Sequence, residues 1–327
     1  MSLKIIKAGI LDTIQDTGRN GFRHLGIGSS GAADRYAAQL ANCLLGKNSH
    51  CPVLEMHFPA ASIQFSEATI LCITGADFHP EINGMVCPLN QPVAVSAGSK
   101  LNFTRPVTGV RCYLSVLHNL KLEPWLGSYS TNLVAKTGGM NGKKLEKGMT
   151  IGFSDRYQLN TILGQREIKF LPWRVEPVDH EKSAVRILAG VSWNDLTYDS
   201  QKALLNNSFQ VTNMSDRMGL QLEGNSMELK ERSNFLSTAV TFGTIQLLPN
   251  GQLIILMADH QTTGGYPQIA HVIGADCSVL AQKSPNSTTR FTFTNQHTAD
   301  LLLLQQYRYL RELKSSCDIQ MQHLLHA

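Results

Sequence analysis

Short apolar runs broken by Gly, Pro and Asn dominate the chain. In the first half they read "VLEMHFPAASIQF", "ATILCITGAD", "PVAVSAGSKLNFT" and "VRCYLSVL". In the second half they read "VRILAG", "FQVTNM", "AVTFGTIQLL", "QLIILMAD", "SVLAQ", "TRFTFTN" and "ADLLLLQQ". Runs of this length, rich in Val, Ile, Leu and Phe and bounded by turn formers, predict antiparallel strands. The sequence therefore predicts a mainly β protein with few helices. One helix is expected after "IGSSGA", where Ala37, Leu40, Ala41 and Leu44 recur at helical spacing, Ser30 is positioned to cap and Gly46 to terminate. A second is expected in "YRYLRELKSSCDIQMQHLLH", which lines Leu310, Leu313, Cys317, Met321 and Leu324 along one face. That stripe suits packing on its own domain or, alternatively, a partner's groove.

The stretch "REIKFLPWRVEPVDHEKSA" carries two prolines and a run of charges, so a domain boundary is expected within residues 174–184. This divides the chain into 1–174 and 175–327. The two halves share markers in the same order: Leu54, Glu55 and then Ala76, Asp77 in the first, Leu222, Glu223 and then Ala258, Asp259 in the second. Either an ancient duplication or chance likeness between two β domains accounts for so short a match.

Composition narrows the function. With 327 residues, 43% of them hydrophobic, the chain can bury one large core or two moderate ones. A net charge of +4 without a Lys/Arg block gives no electrostatic footprint for nucleic acid or anionic lipid. No run approaches a membrane span and "MSLKIIKAGILDTIQDTGRNG" has no apolar signal core, so a cytoplasmic location is expected. Seven scattered cysteines without a CxxC argue against a disulfide framework, and eleven histidines without ligand spacing against a metal site. GxxxxGK[ST], HExxH and GxSxG are absent, and "GRNGFRHLGIG" lacks the strand-turn-helix setting of a dinucleotide site.

Three segments carry candidate chemistry. "DTIQDTGRNGFRHLGIGSSGAADR" gathers Asp12, Asp16, Arg19, Arg23, His24, Ser29, Ser30, Asp34 and five glycines. Its glycines admit close backbone approach and the helix that follows offers N–H groups to an anion, while a surface loop tied by its own Asp and Arg side chains explains the same density. "MADHQTTGGY" ends an apolar strand, which holds side chains rigidly yet within reach. There Asp259 is a candidate base or ion-pair acceptor, Thr262 and Thr263 offer hydroxyls, and Gly264 and Gly265 let N–H groups converge on an oxyanion; a plain β turn is the alternative. "SDRMGLQLEG" offers Arg217 to a carboxylate or phosphate with Glu223 to orient it, or else an exposed Asp216–Arg217 pair of little energetic weight.

Taken together, "GILDTIQDTGRNGFRHLGIGSSGAADRYAAQLANCLLG", "LGSYST", "SDRMGLQLEG" and "GTIQLLPNGQLIILMADHQTTGGYPQIA" closely resemble the biotin-dependent carboxyltransferase family that includes the C component of 5-oxoprolinase, KipA and allophanate hydrolase subunit 2. The resemblance runs from about Ile5 to Gln305. It implies two cyclophilin-like β-barrel subdomains in tandem with a few short helices. For function it implies the C component of an ATP-dependent 5-oxoprolinase, opening the lactam to glutamate with a KipI-like B component and, optionally, a third oxoprolinase subunit. The alternatives it leaves are a biotin-dependent carboxyltransferase acting on urea or a similar amide, and a noncatalytic KipA-type antagonist of a kinase inhibitor. ATP would be a co-substrate of the complex, since this chain has no P-loop, and carboxybiotin would enter under the carboxyltransferase reading. By resemblance, the catalytic candidates are Asp259, Thr262, Thr263 and Arg217, and the substrate-binding candidates Asp16, Arg19, Ser30, Asp34, Glu223, Gln261, Gly264, Gly265 and Tyr266. One departure stands out: relatives commonly carry a Gly-Gly pair after "YLAVAG", where this chain has "YLSVLHNLKLE".

Overall fold

A computed structural model describes residues 1–176, 184–231 and 235–326. Most of the expected boundary stretch thus lies outside the described residues. The chain forms two compact units, neither contiguous in sequence: Met1–Arg19, Asp34–Val178 and Tyr307–Ala327 make the first, Asn20–Ala33 and Asp179–Gln306 the second. Residues 20–33 thus fold with the second unit, and residues from Tyr307 onward with the first.

The first unit holds strands β1 (Ser2–Lys7), β2 (Thr13–Gln15), β3 (Val53–Met56), β4 (Ser62–Phe65), β5 (Thr69–Asp77), β6 (Pro80–Ile82), β7 (Met85–Val86), β8 (Val93–Val95), β9 (Lys100–Phe103), β10 (Thr108–Val116), β11 (Thr150–Gly152) and β12 (Ile168–Phe170). They form two six-stranded sheets, ordered β11-β1-β4-β9-β6-β7 and β12-β8-β5-β10-β3-β2. Leu3, Ile5, Ile63 and Phe65 from one sheet and Leu71, Ile73, Cys112 and Leu114 from the other fill the core between them. The second sheet is buried on both faces. Ile70, Cys72 and Ala94 point away from that core into another, shared with Leu40, Cys43 and Leu44 of helix α1 (Arg35–Leu44) and Ile162 and Leu163 of helix α2 (Asn160–Leu163). Two-sided burial is why "ATILCITGAD" is a continuous apolar run rather than an alternating one.

Helix α1 starts as expected but with a different cap. Asp34, not Ser30, accepts the Ala37 N–H at 3.0 Å; Ser30 lies four residues earlier with a left-handed φ of 50°. Gly46 follows the helix at φ 69°, and a Cβ there would fall 2.8 Å from the Asp318 backbone, so the glycine serves both the turn and the approach of the C-terminal helix.

The second unit contains strands β13 (Ala184–Ala189), β14 (Phe209–Val211), β15 (Gly219–Glu223), β16 (Thr238–Ala239), β17 (Thr244–Leu247), β18 (Leu253–Leu256), β19 (Thr263–Gly264), β20 (Gln268–Val272) and β21 (Thr288–Phe293). Seven of these close a barrel in the order β13-β20-β17-β18-β15-β14-β21, sealed by the parallel pair β13 and β21. Alternate residues Val185, Ile187, Leu220, Leu222, Ile245, Leu247, Leu253 and Ile255 fill its interior. Strands β16 and β19 form a separate two-stranded ribbon. Helices α3 (Tyr198–Asn206) and α4 (Cys277–Ala281) also belong to this unit.

Two expected strands are helical. "SVLAQ" lies largely in α4, and "ADLLLLQQ" lies in α5 (Gln296–His326), which begins eleven residues before the expected helix. A short apolar run does not distinguish strand from helix by periodicity. The deciding signal is Asn295, whose side chain accepts the Thr298 N–H at 2.8 Å as an N-cap. Residues of α5 from Tyr307 onward belong to the first unit, where Leu310, Cys317 and Met321 are buried against the core that includes Leu40, Cys43 and Leu44.

The shared markers do not occupy matching places. Strands β15 and β18, which carry or precede the second pair, are neighbours, whereas β10 separates β3 from β5. Glu55 is buried and accepts the Tyr113 hydroxyl, while Glu223 is exposed.

Candidate functional site

The first unit brings Asp16, Arg19 and Asp34 into buried, hydrogen-bonded positions. Asp16 follows β2, and its carboxylate accepts from the N–H groups of Gly18 (2.8 Å) and Tyr129 (2.7 Å) and from the hydroxyls of Ser128 (2.7 Å) and Ser130. One acid thus organises the "SYST" part of the "LGSYST" motif. Arg19 donates to the Ser130 carbonyl, and its guanidinium carbon sits 4.8 Å from the Trp125 ring centroid, a cation–π distance. Asp34 caps α1 and its own N–H donates to the Tyr113 hydroxyl at 2.8 Å; that hydroxyl donates onward to Glu55 at 2.8 Å. Burial, reinforced by the charges of Glu55 and Asp34, pushes the Tyr113 phenol well above its ordinary range, so it stays a donor.

The segment "YLSVLHNLKLE" also lies in this unit. His118 is fully buried, stacks on Phe153 at 4.4 Å between centroids and bonds Thr69 Oγ1 through Nδ1 at 2.9 Å. Burial lowers its basicity below the usual histidine range. Lys47 Nζ donates to the carbonyls of Val116 (2.7 Å) and His118 (3.0 Å), and desolvation likewise lowers its pKa. These groups tie down the end of β10.

In the second unit the segments around Arg217 and Asp259 continue the β15–β18 pairing. Asp259 N–H donates to the Arg217 carbonyl at 2.8 Å, and Met257 N–H to Met218 at 2.9 Å. This backbone register sets the side chains face to face. Arg217 Nε donates to Asp259 Oδ2 at 2.7 Å, and Nη2 to Asp259 Oδ1 at 3.3 Å and to the Gly31 carbonyl at 2.7 Å. Side-chain exposure of only 7% and 13% makes this a largely desolvated ion pair. Asp259 therefore takes the orienting place expected of Glu223, which is exposed and pairs with Gln210 of β14. The alternative of an exposed Asp216–Arg217 pair also gives way: Asp216 instead accepts the N–H groups of Met218 (2.7 Å) and Gly219 (3.1 Å). In this arrangement Asp259 is an ion-pair acceptor, and Arg217 holds the glycine-rich loop instead of presenting an open fork.

That loop, residues 20–33, is stitched to the barrel unit at a second point. Arg23 donates to the carbonyls of Val240 and Thr262. Gly28 lies where a Cβ would come within 3.3 Å of the His260 carbonyl, and Ser30 is fully buried. The ribbon carries the remaining candidates: Thr263 and Gly264 pair with Ala239 and Thr238. Gln261, Thr263, Gly265 and Tyr266 are exposed, and Thr262 and Gly264 half-buried. Beneath the ribbon sits Gln246, fully buried, its Nε2 donating to the Tyr266 carbonyl at 3.3 Å.

Sequence reasoning missed Ser128, Ser130, Trp125, Tyr113 and Gln246. The first three lie in or beside "LGSYST", more than a hundred residues from their partners. Gln246 could have been found as the single amide inside the apolar "TIQLL". Among the described residues no group of three or more His, Cys, Asp or Glu side chains could hold a metal ion, and no helix is long and apolar enough to cross a membrane.

A family model described as carboxyltransferase domain, subdomain A and B, matches residues 25–293. The chain belongs to this family. Its relatives include the 5-oxoprolinase C component of Escherichia coli K12, 33% identical over 95% of this chain and 97% of that protein. They also include the 5-oxoprolinase C component of Haemophilus influenzae, 34% identical over 94% of this chain and 96% of that protein. Among solved structures, the Kluyveromyces lactis urea amidolyase superposes with a TM-score of 0.85 at 22% identity over 95% of this chain. This chain spans 20% of that enzyme, and the likeness is one of fold.

Proposed function

We propose that this chain is the C component of an ATP-dependent 5-oxoprolinase, a lactam hydrolase that opens 5-oxoproline to glutamate together with a KipI-like B component and an optional third subunit. The observation that carries this reading is sequence similarity: relatives named as 5-oxoprolinase C components are 33% and 34% identical over 95% and 94% of this chain, whereas the Kluyveromyces lactis urea amidolyase is 22% identical.

Physical chemistry supports an amide substrate. A lactam C–N bond has partial double-bond character, so opening it requires activation and donors aimed at the oxygen where charge develops. The exposed hydroxyl of Thr263, with Thr262 and the backbone at Gly264 and Gly265, supplies donors on a ribbon held by the barrel. Arg217 and Asp259 act here as a positioning pair that fixes residues 20–33 beside that ribbon. ATP is assigned as a co-substrate of the complex; with no P-loop in this chain, none of its residues is assigned to ATP.

A second reading, biotin-dependent carboxyl transfer to urea or a similar amide, is favoured by the name of the matching family model. The complex reconstituted from this chain and its genomic-neighbour subunits decides between them. ATP hydrolysis stimulated by 5-oxoproline and indifferent to biotin supports lactam hydrolysis, and carboxylation of urea dependent on a carboxylated biotin carrier overturns it.

A further inference from the structure

We propose that Gln246 is a specificity-determining residue that recognises the N–H of an amide ligand, with its Oε1 as acceptor and the glycine pair Gly264 and Gly265, at the end of β19, as the way in. Alternation along β17 sends Ile245 and Leu247 into the barrel core and turns Gln246 to the opposite face. There it is nonetheless fully buried, because the ribbon lies against it: a Cβ on Gly264 would come 2.7 Å from Gln246 Nε2 and 3.4 Å from Oε1. Any larger residue at position 264 would close that approach.

The two ends of the carboxamide differ. Nε2 donates to the Tyr266 carbonyl, which fixes the orientation, and Oε1 has no hydrogen-bond partner among the described residues. Buried polar groups are paired in the great majority of cases, and each exception calls for an explanation. A valine or leucine would fill a strand position without stranding an acceptor, so the amide is out of place for packing alone. An unpaired carbonyl oxygen selects for N–H donors and against carboxylates and phosphates, which matches a lactam or urea nitrogen. Above it Gly265 is exposed and Tyr266 is 45% exposed, and adjacent glycines give the backbone the freedom to lift when a ligand enters.

The choice of probes rests on the amide reading above. The test uses the full chain and three probes: 5-oxoproline, N-methyl-5-oxoproline, which lacks the N–H, and urea, each measured by calorimetry or ligand-observed NMR against wild type, Gln246→Leu and Gln246→Glu. Wild type should bind 5-oxoproline about tenfold more tightly than its N-methyl analogue, the scale of one lost hydrogen bond. Gln246→Leu should bring the two affinities together while leaving the thermal midpoint unchanged or higher, because the stranded acceptor is gone. Gln246→Glu keeps an acceptor but loses the Nε2–H that bonds the Tyr266 carbonyl, so it should bind 5-oxoproline more weakly while retaining a preference for N–H. A preference that survives in Gln246→Leu, or wild type that binds neither 5-oxoproline nor urea, overturns the inference. In the assembled complex Gln246→Leu should raise KM more than it lowers kcat. An active 5-oxoprolinase whose KM ignores Gln246 removes the inference alone; urea binding that depends on Gln246 in a complex without oxoprolinase activity removes the functional reading alone.

Discussion

Arg217 and Asp259 form one electrostatic unit, and their energetics follow from burial. Removing one partner leaves an uncompensated charge, whereas replacing both with apolar side chains does not. Arg217→Met should therefore destabilise by about 3 kcal/mol, and the double variant Arg217→Met/Asp259→Leu by clearly less, as read from urea denaturation. Equal or additive losses would remove the coupling. Asp12 makes a second residue-scale case. It is fully buried, its carboxylate accepts the N–H groups of His57 (3.1 Å) and Ala61 (2.7 Å), and burial outweighs these bonds and nearby Lys144 to push its pKa up to about 6. A raised folded-state pKa favours the protonated form on folding. The associated stability is complete below the ordinary value of 3.8 and is lost as pH rises through about 6. Wild type should accordingly lose up to about 3 kcal/mol relative to Asp12→Asn between pH 4 and pH 7. A stability difference that is flat across this range contradicts it.

At the level of elements, helix α1 depends on Asp34 for its first turn. Asp34→Ala should cost about 1–2 kcal/mol in chemical denaturation and Asp34→Asn only a fraction of that, because asparagine also caps well. Equal losses in both variants would point to a role for the charge beyond capping. Most strands were legible in the sequence because their apolar runs end at Gly, Pro and Asn. "ADLLLLQQ" was misread because four successive leucines carry no period, and Asn295, the N-cap, stands just outside the run. The candidate site was legible in part. Density of charge and glycine singled out Asp16, Arg19 and Asp34, the end of an apolar strand Asp259, and a permanently charged fork Arg217, but not what they touch. The Gly31 carbonyl that Arg217 reaches is a backbone group, and Ser128 and Ser130 come to Asp16 through a distant loop. No local pattern announces either contact.

Across the whole molecule, sequence order and compact units diverge: residues 20–33 fold with the barrel unit, and residues from Tyr307 onward fold with the sheet unit. A cut at the linear boundary would separate each of these segments from its core, so functional tests require the intact chain. The proposed role of this chain is that of an obligatory component of a lactam-opening enzyme. The most direct measurement is the glutamate formed from 5-oxoproline, together with the ADP released, by the reconstituted complex with and without this chain. Glutamate and ADP rising together only when the chain is present is the predicted result. Full turnover in its absence, or assembly of the complete complex without any glutamate formed, would contradict the claim.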